Sequence, residues 1–592
     1  MTVLRIGRRL VSTMVKRSPA ERVQSTTPSI WVEFTTLAAE CKAVNLGQGF
    51  PDTPMPKFVA EKLKEVASHP ERTDMHQYTR GYGNPKLVSV LGKLYSKLYG
   101  IPIDANNQII VTVGAYLSLY YAFLGWIDHG DEVIIMEPAY DCYSPQVKLA
   151  GGKAVPVVMP LKERATSSAD YRLDVDAIRK AITSKTKMLV LNNPHNPTGK
   201  LFSRAELEAV AAIANEHDLI VIADEVYEWH VYEGKEMIRF ASLPGMFDRT
   251  ISIGSAGKAF SVTGWKLGWA IGPDHLLAPM KAVHQNCVFT CSTPTQHAVA
   301  EAMEDELKIM EEQPEKSYLM KGLSSELVSK RDRLAAMVRE AGMTPIVPES
   351  GYFMMAGFKG YHGPFETDSS PDPLDFRFVR WLCREKKLAT IPPSAFYSPQ
   401  FKKANEEMVR LCFFKSDDTL SKAELRFEMD TDLKTFRDFL MQYNVVTEAC
   451  FGSCVNDMTT RTVSEKEEKC STNCLDKFLK MTQRLSLRFQ KVRMNTDITT
   501  LRDFLMRYNV LTEACFGSCV SDLTTRSVSG DEELCTKKCF DKMLNMTQRL
   551  SLKFQDHMMA KHATPSVPAV EQPVESTPVV VNPVDPVESV DK

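Results

Sequence analysis

The sequence predicts an α/β protein in which a mainly parallel sheet forms the larger part and two helical, cysteine-rich modules follow it. From Ile109 to Gly254, apolar runs of strand length alternate with amphipathic helical stretches, which is the pattern of a parallel sheet covered on both faces. From Cys450 onwards, eight of the 14 cysteines fall into two identical patterns. The chain of 592 residues is also too long for one ordinary core, so several folded units are expected.

Charge and hydropathy argue against two classes of protein, general nucleic-acid binders and proteins with a membrane-spanning helix. A formal net charge of -2 argues against a general nucleic-acid binder. No stretch reaches the roughly 18 to 20 consecutive apolar residues of a membrane span. The remaining six cysteines are spread up to Cys412 without a repeated pattern, as expected for packed or free thiols.

Residues 1–27 form a basic segment. The first twenty residues carry five lysines and arginines, and the first acidic residue is Glu21. This composition resembles a mitochondrial transit peptide. The alternative is a disordered basic tail or an upstream extension, so the sequence leaves a mitochondrial and a cytoplasmic location open.

Polar clusters follow five apolar runs at the points where strands are expected to end. The runs IIVTV, VIIM, MLVL, LIVIA and ISIG lead into Gly114-Ala115-Tyr116, Glu137-Pro138-Ala139-Tyr140, NNPHNPTG, Asp224-Glu225-Val226-Tyr227 and Ser255-Ala256-Gly257-Lys258. Ligands of open α/β sheets bind outside the carboxyl ends of the strands, so these clusters are predicted to line one crevice. Taken singly, Asp224 fits a helix cap, Lys258 a surface lysine and NPTG a turn.

Together the clusters meet the chemical demands of a phosphorylated aromatic aldehyde. The aldehyde needs an amine that forms a Schiff base and later acts as a general base, which Lys258 supplies. The ring nitrogen needs a carboxylate that keeps it protonated, and Asp224 fits this role. With Tyr227 beside the phenolic oxygen, these residues are the catalytic candidates.

The other parts of such a cofactor also find partners. Asn196 suits the phenolic oxygen together with Tyr227, and Tyr140 suits the ring face. The phosphate needs backbone N–H groups at a helix start and a positive charge, for which the sequence offers Gly114, Ala115, Ser255 and Lys266.

Six motifs occur in an order that resembles the fold-type I pyridoxal-phosphate aminotransferases, and within them the kynurenine aminotransferases, also called glutamine transaminase K or cysteine-S-conjugate beta-lyase. They are NLGQGFPD, QYTRGYGNPKL, NNPHNPTGK, ADEVYEW, SAGKAFSVTGWKLGW and VRLCF. The resemblance implies a large, mainly parallel-sheet domain plus a small α/β domain over residues 28–428, with pyridoxal 5'-phosphate as cofactor and no metal. It also implies transamination of kynurenine, glutamine or related aromatic or large amino acids with a 2-oxo acid acceptor, and beta-lyase activity as a side reaction.

The same resemblance implies roles for residues outside the five clusters. Arg410 in VRLCF pairs with the substrate carboxylate, together with Gly49 and Asn196; a structural ion pair is the alternative for Arg410. Tyr78 in QYT reaches the cofactor phosphate of the neighbouring subunit, which implies a homodimer. The aromatic walls of the substrate site are Trp31, Tyr116 and Phe289. The chain departs from the family at Tyr140 and Thr290, where a phenylalanine and a histidine are expected.

Residues 429–490 and 494–557 repeat each other, and each copy holds two C-x3-C pairs separated by fifteen residues. On a helix this spacing places both cysteines of a pair on one face. Each copy is therefore predicted to be a helical hairpin closed by two disulfides, with zinc binding as the alternative. The cysteines are Cys450, Cys454, Cys470, Cys474, Cys515, Cys519, Cys535 and Cys539.

These repeats resemble the small Tim chaperones of the mitochondrial intermembrane space. The resemblance implies mitochondrial precursor proteins or other small Tim subunits as partners. Nested pairing would join Cys450 to Cys474 and Cys454 to Cys470, with the second module paired in the same way. Residues 558–592, rich in proline, valine and acids, are predicted to be a disordered tail.

The sequence leaves open why the aminotransferase-like part and the two cysteine modules share one chain. The patterned cysteines need an oxidising compartment, whereas the catalytic part suits a reducing one. The chain is therefore either a gene-model fusion of neighbouring units or a real fusion whose modules serve dimer contacts or protein binding. A functional alternative is a mitochondrial import chaperone or binding protein with a vestigial aminotransferase part. Against it, a competent residue occupies every predicted cofactor-contacting position.

Overall fold

The computed structural model describes residues 19–23 and 29–427, together with residues 466, 469, 470, 473, 529–532, 534 and 535. The chain divides into two units, Met1–Asp430 and Thr431–Lys592, and the fold below is that of the first. Most of the basic segment 1–27, most of the two cysteine modules and the tail 558–592 lie outside the described residues.

The strands of the described chain are short and mostly buried. They are β1 (Val44–Asn45), β2 (Ile109–Thr112), β3 (Glu132–Glu137), β4 (Lys153–Val158), β5 (Thr186–Asn192), β6 (Ile220–Asp224), β7 (Thr250–Ser255), β8 (Gly268–Ile271), β9 (Thr344–Ile346), β10 (Phe353–Gly357), β11 (Leu388–Ala389) and β12 (Met408–Cys412).

The α-helices alternate with these strands through most of the described chain. They are Ile30–Glu40, Lys57–Ser68, Thr73–His76, Pro85–Tyr99, Ala115–Trp126, Tyr143–Leu149, Val175–Ala181, Arg204–Glu216, Ala256–Ala259, Asp274–Cys287, Thr293–Glu312, Leu323–Glu340, Leu374–Glu385, Pro399–Lys402 and Asp417–Phe427. Shorter helical turns include Thr263–Trp265, Tyr318–Gly322 and Pro393–Phe396. Within the described ranges, none of these helices combines the length and the apolar character that crossing a membrane demands.

Seven strands form the central sheet in the order β2-β8-β7-β6-β5-β3-β4. The neighbours from β7 to β4 run parallel, and β8 runs antiparallel to both β2 and β7. The mainly parallel sheet is therefore confirmed, and it contains the five strands that precede the polar clusters. The sequence did not predict β8, because its four residues form only a short apolar run.

Alternate residues of the parallel strands are buried on opposite faces of this sheet. In β3, Val133 and Ile135 belong to one core, whereas Ile134 and Met136 belong to the other. Helices cover both faces, so the four residues between the terminal glutamates of β3 are all apolar, rather than every second one. This double burial is what produced the continuous apolar runs in the sequence.

A smaller domain contains the second sheet, three antiparallel strands in the order β12-β10-β9. The short strand β1 pairs in parallel with β11, so this domain draws on both ends of the described unit. Arg410 lies in β12, opposite Met355 of β10. The predicted small α/β domain is confirmed.

Candidate active site

A cavity of about 320 Å³ lies at the carboxyl ends of the central strands. Residues from all five predicted clusters and from the N-terminal and C-terminal segments line it, as expected for the ligand crevice of an α/β sheet. The NNPHNPTG cluster contributes Asn192 and Asn196 to the same wall. The predicted site residues that line the cavity are Trp31, Gly49, Gly114, Ala115, Tyr116, Tyr140, Asn196, Asp224, Tyr227, Ser255, Lys258, Lys266 and Arg410.

Lys258 lies in the short helix Ala256–Ala259, directly after β7. Its Nζ donates a hydrogen bond to the Tyr352 hydroxyl at 2.7 Å and a longer one, of 3.4 Å, to the Gly49 carbonyl. Burial lowers the pKa of Lys258 to about 8. A larger share of this amine is therefore neutral, and nucleophilic, near neutral pH than for an ordinary lysine.

Asp224 is the last residue of β6 and is only 4% exposed. Tyr143 donates a hydrogen bond to its Oδ2 at 2.6 Å, and the backbone N–H of Val226 donates one to Oδ1 at 3.4 Å. Burial raises the pKa of Asp224, while these two hydrogen bonds and the charge of Lys258 oppose the rise. A protonated ring nitrogen is the kind of cation that stabilises the charge of such a buried carboxylate.

A cradle for an anion forms at the start of the helix Ala115–Trp126. Gly114 precedes this helix with a φ of 75°, a left-handed conformation that glycine adopts without strain. A Cβ atom on Gly114 would lie 3.6 Å from Cε of Lys266, so the lysine side chain passes beside the helix start. The first N–H groups of a helix have no partner within the helix and attract anions, and Lys266 adds a full positive charge.

Arg410 is 1% exposed and also lines the cavity. Its two terminal nitrogens donate to the Asn196 side chain at 3.1 Å and to the Gly47 carbonyl at 2.9 Å. Its Nε finds no acceptor among the described residues. The guanidinium carbon lies 4.0 Å from the ring centre of Phe353. No carboxylate pairs with Arg410 within the described chain, so the structural ion pair considered from the sequence is not found there.

Trp31 lies over the same guanidinium, with its ring centre 5.2 Å from the Arg410 carbon. Its indole N–H donates to Asp141 at 2.8 Å, which fixes the ring at the mouth of the cavity. Tyr116 is the other predicted wall residue that lines the cavity, and 45% of it is exposed.

Three residues that contact the predicted groups were not found by sequence reasoning: Tyr143 on Asp224, Tyr352 on Lys258 and Asp141 on Trp31. Tyr143 and Asp141 closely follow the polar cluster after β3, so a longer window behind that strand would have included them. Tyr352 has no such signal, because it begins an apolar run that enters β10.

Tyr78 and Phe289 do not line the cavity. Their rings pack edge to face with centres 5.5 Å apart, and the two residues are 81% and 57% exposed. Their predicted contacts with cofactor and substrate are therefore not made within one chain.

The residues of the cavity fit a phosphorylated aromatic aldehyde. Lys258 provides an amine with a lowered pKa, and Asp224 provides a buried carboxylate for a ring nitrogen. The helix start at Ala115 and Lys266 provide the anion cradle at one end of the same cavity. Arg410, whose Nε has no acceptor among the described residues, lines the same cavity, and a guanidinium suits a second anion.

This fold and this site together define a pyridoxal-phosphate enzyme of the aminotransferase type. Residues 42–424 match the family model of class I and II aminotransferases, and the chain belongs to that family. It uses pyridoxal 5'-phosphate and catalyses transamination, as the sequence predicted.

Curated relatives extend over the same part of the chain. Kynurenine–oxoglutarate transaminase 3 of Rattus norvegicus is 48% identical over 410 residues, which cover 68% of this chain and 88% of the rat protein. Kynurenine–oxoglutarate transaminase 1 of Homo sapiens is 42% identical over 415 residues, covering 69% and 97%. Among solved structures, N-succinyldiaminopimelate aminotransferase from Mycobacterium tuberculosis is similar with a TM-score of 0.61 and 35% identity, covering 69% of this chain and 99% of that one.

The C-terminal part matches a second family. Residues 428–491 and 494–556 each match the model of the Tim10/DDP family zinc finger. Cys470 and Cys535 are each disulfide-bonded. The other six cysteines of the two patterns lie outside the described residues.

Proposed function

We propose that this enzyme transfers the amino group of kynurenine, glutamine or a related aromatic or large amino acid to a 2-oxo acid. The observation that carries the proposal is the buried Arg410, with one unpartnered N–H, set among aromatic rings in the cavity that holds Lys258. The guanidinium suits an α-carboxylate, and the rings suit an apolar or aromatic side chain. The rat and human relatives are kynurenine–oxoglutarate transaminases, which supports a donor of this kind.

Pyridoxal 5'-phosphate, when bound, supplies an aldehyde that binds amines and a ring that withdraws electrons from the substrate α-carbon. In the proposal, Lys258 would hold the cofactor covalently until the amino group of the substrate displaces it. The freed neutral amine of Lys258 would then take the proton of the α-carbon and return it to the cofactor carbon. Asp224 keeps a proton on the ring nitrogen through its buried negative charge. Tyr227 and Asn196 donate hydrogen bonds to the phenolic oxygen.

The remaining cofactor contacts orient the ring. Tyr140 would stack on the ring of the bound cofactor, and Tyr143 holds Asp224 in place through its hydrogen bond. The phosphate would be held by backbone N–H groups at the helix start, Gly114 and Ala115, together with Ser255 and the positive charge of Lys266.

The substrate side of the proposed site is built around Arg410. Its guanidinium binds the α-carboxylate, aided by Asn196 and by the backbone at Gly49. Trp31 and Tyr116 cover the side chain of the substrate and exclude water from it. The beta-lyase reaction on cysteine conjugates is proposed as a side activity, because a carbanion next to a good leaving group expels it.

Replacing Lys258 by alanine tests the assignment. We expect loss of turnover and loss of the absorbance change that an amino acid produces in the wild-type holoenzyme, because no other amine in the site replaces Lys258. Lys153→Ala is the matched control, since this lysine pairs with Glu132 away from the cavity. Full activity in Lys258→Ala would end the proposal, and a wild-type enzyme without any such absorbance change would favour the vestigial alternative.

A substrate panel tests the preferred donor. Kynurenine, glutamine, phenylalanine and aspartate are each assayed with several 2-oxo acids. We expect kcat/KM for kynurenine or glutamine to exceed that for aspartate by about tenfold or more, because the aromatic walls favour large uncharged side chains. A preference for aspartate would contradict the substrate assignment while leaving the chemistry in place.

A homodimer completes the proposed site. Tyr78 and Phe289 are exposed and pack against each other outside their own cavity, which supports a role in the partner's site. Tyr78 then reaches the cofactor phosphate of the other subunit, and Phe289 adds an aromatic wall to its substrate site.

For the C-terminal half we propose two small Tim-like hairpins, residues 429–490 and 494–557, after a catalytic domain of residues 28–428 and before the tail 558–592. The family match supports small Tim-like modules, and the disulfide-bonded Cys470 and Cys535 support closure by disulfides rather than by zinc. Their proposed partners are mitochondrial precursor proteins or other small Tim subunits. The basic segment 1–27 supports a mitochondrial location for the joined chain.

A further inference from the structure

The Tyr352 hydroxyl lies between Lys258 and the loop that carries Gly49. It accepts a hydrogen bond from the Lys258 amine at 2.7 Å and donates one to the Gly49 carbonyl at 2.8 Å. Tyr352 is 1% exposed, and burial raises the pKa of its phenol well above the usual value. The phenol therefore stays neutral, and its single proton is directed at Gly49.

Packing fixes the position of this hydroxyl. The Tyr352 ring contacts four other rings, with centre distances of 5.1 Å to Tyr227, 5.3 Å to His230, 4.8 Å to Phe353 and 5.6 Å to Phe414. The backbone N–H of Phe413 donates to the Tyr352 carbonyl at 3.1 Å. The oxygen that faces Lys258 thus belongs to a side chain with little freedom to move.

These contacts decide the direction of the lysine lone pair. A neutral primary amine has two N–H bonds and one lone pair around its nitrogen. In Lys258, one N–H is directed at Tyr352 and the other at the Gly49 carbonyl. The lone pair then has one remaining direction, away from both oxygens, and Lys258 also lines the cavity.

We propose that Tyr352 is a positioning residue, which holds the Lys258 amine so that its lone pair meets the proton of the substrate α-carbon. The inference rests on the proposed role of Lys258 in proton transfer. Proton transfer depends steeply on the alignment of the base, and Tyr352 sets that alignment without exchanging a proton itself. Because Tyr352 also bonds to Gly49, it links the base to the loop proposed to contact the substrate carboxylate.

Tyr352→Phe removes the hydroxyl and keeps the ring packing. We expect kcat to fall about tenfold, the worth of one well-placed hydrogen bond, with KM changed less than about twofold. The kinetic isotope effect with an α-deuterated amino acid should increase, because proton transfer becomes more rate-limiting. Tyr232→Phe is the matched control, since its buried hydroxyl donates to the Gly351 carbonyl and does not touch Lys258.

A second measurement does not depend on turnover. When pyridoxal 5'-phosphate is added to the full-length chain stripped of cofactor, covalent capture by Lys258 is followed by absorbance. We expect capture to be about tenfold slower in Tyr352→Phe than in wild type and in Tyr232→Phe, with the same final amount bound.

The outcomes separate this inference from the proposed function. If Tyr352→Phe matches wild type in kcat, isotope effect and capture rate, or if Tyr232→Phe shows the same losses, the positioning role is wrong. An inactive Lys258→Ala beside a fully active Tyr352→Phe would overturn only this inference. A fully active Lys258→Ala would overturn the proposed function as well.

Discussion

Burial leaves the Arg410 guanidinium with an N–H that no described group accepts, a state that costs roughly 1 to 3 kcal/mol in folding free energy. Nearby rings of Phe353, Phe396 and Trp31 keep water away from it. An anion that binds in this place regains the lost hydrogen bond and meets a charge that water does not screen. The proposed carboxylate site therefore depends on a buried Arg410 N–H group that has no acceptor among the described residues.

Arg410→Lys should raise KM for the amino acid by about tenfold or more, because lysine keeps the charge but loses the planar fork. We expect kcat to fall less than KM rises, since Arg410 does not contact the reacting carbon in the proposal. Steady-state kinetics with saturating oxo acid measure both. An unchanged KM would mean that the carboxylate binds elsewhere.

The lowered pKa of Lys258 sets a pH dependence for cofactor capture. Below a pKa of about 8 the amine is protonated and does not attack an aldehyde; above it the amine is neutral. The rate of capture by the stripped full-length chain should therefore rise with pH and level off above about 8. A midpoint near the ordinary lysine value of 10.5 would show that the surroundings of this amine do not lower its pKa.

Glu137, the last residue of β3, ties the large domain to the segment that follows Pro393–Phe396. Its buried carboxylate accepts hydrogen bonds from the Ser398 backbone N–H, at 2.9 Å, and from the Ser398 hydroxyl. The backbone N–H of Ala139 donates to the Phe396 carbonyl at 2.9 Å. The end of β3 thus positions the segment that carries Phe396, whose ring lies over the Arg410 guanidinium.

Ser398→Ala removes one of the two hydrogen bonds to Glu137 and should destabilise the enzyme by about 1 kcal/mol. We expect a lower midpoint of thermal unfolding at fixed cofactor concentration and a small rise in KM, because Phe396 is held less firmly. Ser242→Ala is the control, since its hydroxyl donates to the Arg239 carbonyl away from the cavity. Equal stability of Ser398→Ala and wild type would mean that the backbone contact alone holds this segment.

One chain holds nearly all of the proposed site, but the two exposed rings of Tyr78 and Phe289 lie outside it. At the scale of the whole molecule, the catalytic part is therefore proposed to work as a dimer. The cysteine modules set a second condition, because the proposed disulfides need an oxidising compartment.

Mixing two inactive variants tests the shared site. A Tyr78→Ala chain keeps Lys258, and a Lys258→Ala chain keeps Tyr78, so each hybrid dimer contains one complete site. Random exchange of subunits should restore roughly a quarter of the wild-type activity. No recovery after demonstrated exchange would show that Tyr78 acts within its own chain or not at all.

Mass spectrometry of the full-length protein under non-reducing conditions tests the modules. We expect Cys450–Cys474 and Cys454–Cys470 in one, and Cys515–Cys539 and Cys519–Cys535 in the other. A full-length band in cell extract would exclude a gene-model fusion. Free thiols at these positions in that band would exclude the hairpin fold.

The sequence alone determined the five strands that lead into polar clusters and the cluster residues that share one cavity with Lys258 and Asp224. These follow from local features: continuous apolar runs mark strands buried on both faces, and the carboxyl ends of parallel strands share one edge. The motif resemblance added the small domain, Arg410 and the substrate walls.

Only the tertiary structure decided which distant groups meet. Tyr352 and Gly49 are 303 positions apart. Strand β8 lies between β2 and β7, although its four residues are too few to predict a strand. The unpaired Nε of Arg410 and the outward position of Tyr78 are likewise invisible in sequence. The physical reason is that local patterns specify which face of an element is buried, whereas contacts between elements arise from the packing of the whole domain.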